Sequence, residues 1–322
     1  MNRGEYLIRR VGSAVVTIAA AATINFVLFR AAPGDASTQY QMCRTCSAEF
    51  RDYLRGELGL DRPLAEQFVR YVTALLRGDL GYSFQTRRPV WEELSGPLAD
   101  TLPMVGLGLA LGLALGLLIG VVSAWRRGTA ADWAPLSASM FLSVLPIQWI
   151  GLMLLLLFGG ILPTGGVADP YLRFTDPSWF EVAADRLEHM VLPSLAIGLA
   201  WSGSWALITR SALVGALAED YILTARAKGL SRWRIVRRYA LPNSLLPIAT
   251  LVFLTFGYIV AGSLLVETVF SYPGIGLALY EAVQNRDYAV LQGGFLLLTV
   301  AIVLANLLAD LLYLKLDPRI RT

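Results

Sequence analysis

The stretch EDYILTARAKGLSRWRIVRRYALP, Glu219 to Pro242, lies between two long apolar runs. It carries Arg226, Lys228, Arg232, Arg234, Arg237 and Arg238 against only Glu219 and Asp220. A charged side chain at the centre of a bilayer costs about 3 kcal/mol or more, so a run this dense sits in water. Its order also predicts local structure. Asp220 to Lys228 is built of good helix formers, Gly229 stops or bends that helix, Ser231 is placed to cap a second one, and Pro242 ends it. Two short helices held at a membrane face are the expected form.

The flanks of this stretch set the class. Of 322 residues, 56% are hydrophobic and 16% charged, and the mean hydropathy is +0.56. That is too apolar for a soluble domain of this size, and an all-α polytopic membrane protein is predicted. A net charge of +3 gives no electrostatic reason to expect a nucleic-acid partner. A helix crosses roughly 30 Å of hydrocarbon with about 20 apolar residues while satisfying its own backbone. Six stretches meet that demand: Val11–Phe29, Thr101–Ala124, Pro135–Phe158, Met190–Thr209, Ser244–Val266 and Leu291–Tyr313. The first reads as an uncleaved span, because it is long, shows no clear small-residue cleavage site and runs directly into Arg30.

Orientation follows from the basic residues of short loops. Arg3, Arg9 and Arg10, then Arg126 and Arg127, then the basic residues from Arg210 to Arg238, then Lys315, Arg319 and Arg321 all fall on one side of six spans. The short loops opposite are mainly acidic, with Asp169, Asp176, Glu181, Asp185, Glu188, Glu267, Glu281 and Asp287. Both termini are therefore expected in the cytoplasm. The predicted organisation is a cytoplasmic N-terminus and first span over 1–29 and an extracytoplasmic loop domain over 30–100. A five-span core follows over 101–313, with a cytoplasmic loop at 210–243 and a cytoplasmic tail at 314–322. Within the loop domain Pro33-Gly34-Asp35 turns the chain, and Ala65–Leu76 places Phe68, Val72, Leu75 and Leu76 at helical spacing. An amphipathic helix is predicted there, packing on the bundle or lying in the interface.

Leu223-Thr224-Ala225, then Gly229, then Tyr239-Ala240-Leu241-Pro242 resemble the cytoplasmic loop of ATP-binding-cassette (ABC) importer permeases. In that family it is written E-A-A, three residues, G, nine residues, I-x-L-P. The spacing is kept in full, while Leu223, Thr224 and Tyr239 stand where the family has Glu, Ala and Ile. T-A-R-A-K-G is nearer the wording of the peptide and nickel branch. Three further stretches resemble that branch: Leu58–Thr101 with LGLDRPLAEQF and RGDLGYSF, ETVFSYPGIG over Glu267–Gly276 with Tyr280, and Leu316–Arg321.

The resemblance implies a type I ABC importer permease fold, six transmembrane helices with a cytoplasmic coupling loop, in a bacterial cell membrane. It implies a coupling helix over 219–230 that docks on an ATPase, with Tyr221, Thr224, Ala225, Ala227, Lys228, Gly229 and Leu230 at or near the contact. Tyr239, Leu241 and Pro242 close that loop. It implies a second, homologous permease subunit, two ATPase domains or subunits that bind ATP and Mg, and an extracytoplasmic solute-binding protein. Alternating access is the implied mechanism, with di- or oligopeptides as solute, or alternatively nickel complexes or other solutes of the branch.

Enzymatic chemistry is hard to assemble from this chain, and no catalytic residue or cofactor is expected in it. His189 is the only histidine, which excludes a His-based metal cluster, a Ser-His-Asp arrangement or an H-E-x-x-H site. The only lysines, Lys228 and Lys315, do not follow glycine, so no phosphate-binding P-loop is present. Asp310 near the end of the sixth span invites a proton-coupling role, but a partner arginine or a helix-end position is the expected explanation. An ion-coupled secondary transporter would need inverted repeats and intramembrane ionisable residues, and neither stands out. Cys43 and Cys46 read as a local disulfide in an oxidising compartment, the alternative being two unpaired thiols on a loop. Gly108, Gly112, Gly116 and Gly120 recur every fourth residue and form a smooth ridge for tight helix packing or, alternatively, a moving seam. Pro146, Pro193 and Pro247 are each expected to interrupt a span.

Overall fold

In a computed structural model that describes residues 3–31, 62–83 and 85–316, the regular elements of those residues are helices apart from one short hairpin. Cys43, Cys46, the Pro33-Gly34-Asp35 turn and the Asp317–Arg321 ending lie outside the described residues. The elements are α1 (Arg3–Ala31), α2 (Leu64–Leu76), a hairpin of β1 (Tyr82–Ser83) and β2 (Arg88–Pro89), α3 (Val90–Trp125), α4 (Ala130–Val144) and α5 (Ile147–Phe158). They continue with α6 (Trp179–Leu217), α7 (Asp220–Ala227), α8 (Arg232–Ile235), α9 (Leu241–Gly262), α10 (Leu264–Val269), α11 (Ile275–Gln284) and α12 (Tyr288–Leu316).

Among the described residues α1, α3, α6 and α12 are each long and apolar enough to cross a membrane. The third predicted span needs correction. It is not one helix but α4 and α5, which meet at 108°. Proline explains the break: Pro146 has no N–H to continue the ladder and pushes the residue before it out of the helical region, and Leu145 is extended at φ −66°, ψ 140°. The same expectation fails for Pro193 and Pro247, which sit inside the unbroken α6 and α9. The fifth span starts earlier than expected, at Leu241, and ends at Gly262, where Ser263 separates it from α10.

Contacts fix the direction of each pass. A Cβ built on Gly108 would meet Ile197 at 2.8 Å, one on Gly112 the Gly198 carbonyl at 2.7 Å, one on Gly116 Trp205 at 2.7 Å, and one on Gly120 Thr209 at 2.5 Å. Both series ascend together, so α3 and α6 run parallel with backbones in contact along the glycine ridge. Gly198 answers from the other side, its own built Cβ lying 3.1 Å from the Gly108 carbonyl. Two parallel helices require the chain between them to return, so α4 and α5 span the bundle despite their bend. From the end of α6, α9 returns to the start of α3, where Thr101 bonds Glu267 of α10 at 2.8 Å. Next, α12 runs antiparallel to α1, with Asn25 donating to the Gln292 carbonyl at 2.8 Å and Arg10 pairing with Asp310 at 3.2 Å. Asp310 thus has the arginine partner expected of it.

At the Thr101 end the bundle is closed by polar contacts. The N-terminus of α11 is capped from elsewhere in the chain: Glu267, fully buried, accepts the Thr101 hydroxyl through Oε1 and the Leu277 N–H through Oε2 at 2.8 Å each. Thr101 Oγ1 in turn accepts the Ile275 N–H at 2.9 Å. Orphan N–H groups at the start of a helix are thereby satisfied. Tyr272, also buried, donates to the Asp100 carbonyl at 3.2 Å. The ETVFSYPGIG wording is the sequence of this closure. Ser83 in the hairpin donates to Asp287 at the head of α12. The helix predicted at Ala65–Leu76 is present as α2, and it packs on α1 through Phe68 and Tyr71, whose rings lie 5.3 and 5.5 Å from Phe26.

Candidate functional site

At the opposite end of the bundle, α7 and α8 form a hook on the termini of α3, α6 and α9. The chain leaves α7 through a complete Schellman closure: the Gly229 N–H donates to the Arg226 carbonyl at 2.9 Å and the Leu230 N–H to the Ala225 carbonyl at 3.3 Å. Gly229 takes φ +71° to allow it, a conformation that costs an L-residue about 1–2 kcal/mol. Ser231 stands at the N-cap of α8 as predicted, but its hydroxyl makes no capping bond. Pro242 does not end the second helix. A wide π turn over Val236–Ala240 carries α8 into α9, placing Pro242 in the first turn of α9, where a missing N–H is tolerated.

The hook has an inner and an outer face. Ile222 and Ala225 of α7 are buried with Ile235, Val236 and Ala240 against Ala124 of α3 and Leu213 of α6, and Leu230 packs at the edge of this cluster. Tyr221, Leu223, Thr224, Arg226, Ala227, Lys228 and Gly229 are exposed. Of the residues singled out for the coupling helix, Ala225 and Leu230 therefore hold the hook to its own bundle, and the others look outward. Leu223, 60% exposed and apolar, was not among them. Of the loop-closing positions, Tyr239 and Pro242 are exposed and Leu241 packs against the buried cluster. Asn243 ties the two arms together, donating to the Tyr239 carbonyl at 2.8 Å and to the Tyr221 hydroxyl at 3.2 Å.

A second set of bonds stiffens this end. Arg210 of α6 donates to both oxygens of the buried Asp132, at 2.7 Å from Nε and 2.8 Å from Nη2, and the Gly128 N–H adds a third bond at 3.0 Å. Ser123 Oγ donates to the Asp132 carbonyl at 2.9 Å. Three elements that share the hook end are thus tied at Asp132, α6 to α4 by the bidentate pair and α3 to α4 by the Ser123 bond. The helix ends that carry the hook form one body.

Halfway along α6 the two backbone breaks meet a cavity of about 310 Å³. Leu145 and Ile147 of the α4–α5 break, Gly262 and Ser263 of the α9–α10 break, and Trp201 and Ser204 of α6 line it. Irregular backbone at membrane depth is tolerated where it lines a cavity or is buried in protein. Its wall combines an indole and aliphatic groups with the hydroxyls of Ser143, Ser204 and Ser263. Pro146 was the one legible signal for it. Among the described residues no group of three or more His, Cys, Asp or Glu side chains is placed to hold a metal ion.

A bundle with a hook on one end and broken helices beside a cavity is the architecture that comparison with known proteins places among polytopic membrane permeases of the type I ABC importer fold. The chain belongs to the family of binding-protein-dependent transport system inner membrane components, whose main domain matches residues 116–322 and whose N-terminal component matches residues 3–105. It is 36% identical over 334 residues to the dipeptide transport system permease protein DppB of Escherichia coli (strain K12), covering 98% of each chain. Its identity to the di/tripeptide transport system permease protein DppB of Pseudomonas aeruginosa (strain UCBPP-PA14) is also 36%, over 331 residues and 98% of each. In fold it resembles the MetNI methionine ABC transporter in an inward-facing conformation, with a TM-score of 0.53 at 19% identity over 71% of this chain and 94% of that one.

Proposed function

We propose that this chain is one permease subunit of an ATP-driven importer of di- or oligopeptides, that it forms half of the translocation pathway, and that α7 is its coupling helix. A second permease subunit would complete the pathway, two ATPase domains would bind ATP and Mg against the hooks, and an external binding protein would deliver the solute. The cytoplasm would hold both termini and the hook, as the distribution of basic residues favours. The observation that carries this reading is the hook itself, with its inner face buried on α3 and α6 and its outer face free. A rigid projection can pass a force to the spans; a mobile loop cannot. The cavity wall of hydroxyl, indole and aliphatic groups suits an amide-bearing solute, and the two DppB relatives support a peptide.

Replacing Gly229 by leucine tests the coupling helix. A Cβ there meets nothing within 4 Å, so any effect comes from the left-handed backbone rather than from a clash. The strain alone is enough to shift the hook by roughly tenfold in population. Peptide uptake and peptide-stimulated ATPase activity of the assembled transporter should fall together by about that factor, while the amount of permease in the membrane is unchanged. Full coupling in G229L would contradict the assignment.

A further inference from the structure

The second arm of the hook carries a feature that lies outside the proposed coupling helix α7. Arg234, Arg237 and Arg238 are exposed, and among the described residues none of them forms a salt bridge. Together with Trp233 they surround a hollow of about 460 Å³. The wall behind them is fixed, because Ile235, Val236 and Ala240 are buried on the other side of the same turns. Trp233 lies against Trp125 at the end of α3, ring centroids 5.2 Å apart, and Arg232 donates to the Trp125 carbonyl at 3.0 Å.

Depth decides what such a hollow meets. Arg237 and Arg238 precede Leu241, the first residue of the apolar α9, by four and three residues, about 5 Å along a helix axis. The headgroup layer on each side of the hydrocarbon is roughly 5–8 Å deep. Tryptophan beside arginine is the side-chain pairing of that layer, and a guanidinium matches phosphate oxygens bidentately. A concave space of this size takes one headgroup, whereas a protein surface would need a broader face.

We infer that this hollow binds the phosphate of an anionic phospholipid from the surrounding bilayer, so that α7 and α8 divide the hook between an ATPase face and a lipid face. The inference rests on the membrane placement proposed above. It is tested on the assembled transporter in nanodiscs of phosphatidylcholine mixed with phosphatidylglycerol, released into native mass spectrometry. Wild-type transporter should keep phosphatidylglycerol adducts, and R234Q/R237Q/R238Q should lose them with an affinity drop of roughly a hundredfold. The charge-conserving R234K/R237K/R238K should recover a large part of the binding, which a fold defect would not allow. Unchanged adducts in the glutamine variant would overturn the inference. Adducts displaced by millimolar inorganic phosphate would also overturn it, in favour of a free-anion site. Loss of the copurifying ATPase with lipid retained would overturn it too, by assigning the arginines to the ATPase contact. A wild-type complex that captures no ATPase at all would instead count against the coupling reading and leave the lipid result standing.

Discussion

Leucine at Gly112 is expected to remove folded permease from the membrane. The built Cβ of Gly112 lies 2.7 Å from the Gly198 carbonyl oxygen and 2.7 Å from Cζ3 of Trp205, which is itself buried. A flexible side chain can swing away from an intruding methyl; the backbone of a packed helix cannot. Overpacking by a methylene or two costs about 1–3 kcal/mol, and leucine adds four carbons, against a total stability of about 5–15 kcal/mol for an ordinary domain. Gly106, in the same helix, is the control, because a Cβ there meets nothing within 4 Å. Size-exclusion chromatography of detergent-extracted fusions should show a monodisperse peak for G106L and aggregate or nothing for G112L, with G112A between. A normal G112L peak would mean that α3 and α6 are not in backbone contact.

The second large effect is expected at Glu267. Its two oxygens accept from Thr101 and from the Leu277 N–H, all in a fully buried site. Alanine leaves both donors without a partner and opens a cavity, at about 1–3 kcal/mol for each orphaned group. A combined loss of about 3–5 kcal/mol is expected for E267A, read as a lower midpoint of thermal unfolding. E267Q keeps one acceptor for Leu277 and can present its amide to Thr101 Oγ1, so it should lose distinctly less. Equal midpoints for wild type and E267A would refute the capping role. Gly274 and Gly276 belong to the same closure: a Cβ on Gly274 would strike the Glu267 carboxyl, and one on Gly276 would lie 2.6 Å from the Leu264 nitrogen.

The hook was legible in one dimension because charge density and the fixed interval from Leu223 to Pro242 are properties of the chain itself. The same holds for the glycine ridge, whose period of four already defines one helix face. What the chain alone did not reveal is which way each residue of the hook looks. Ala225 and Ala227 are the same residue type two positions apart, yet one is buried and the other exposed, and only the ends of α3 and α6 decide between them. Glu267 misled for a related reason. It counted as one more acid of an outer loop, while its burial depends on Thr101, distant in sequence. Proline carried half a message. Pro146 breaks its span, with Leu145 extended before it, whereas Pro193 is buried within α6 and the packing carries that helix through. The bend of 108° and the cavity beside it are tertiary facts, set by where α5, α6 and α10 meet.

Transport by purified components tests the central claim most directly. The permease pair should be reconstituted into liposomes with and without its ATPase subunits, with binding protein and labelled dipeptide outside and ATP inside. Accumulation should require the ATPase and ATP together, and it should fall by about tenfold when Gly229 is leucine. Accumulation by the permease pair alone, driven by an ion gradient or by nothing, would contradict a pathway that is opened from the hook.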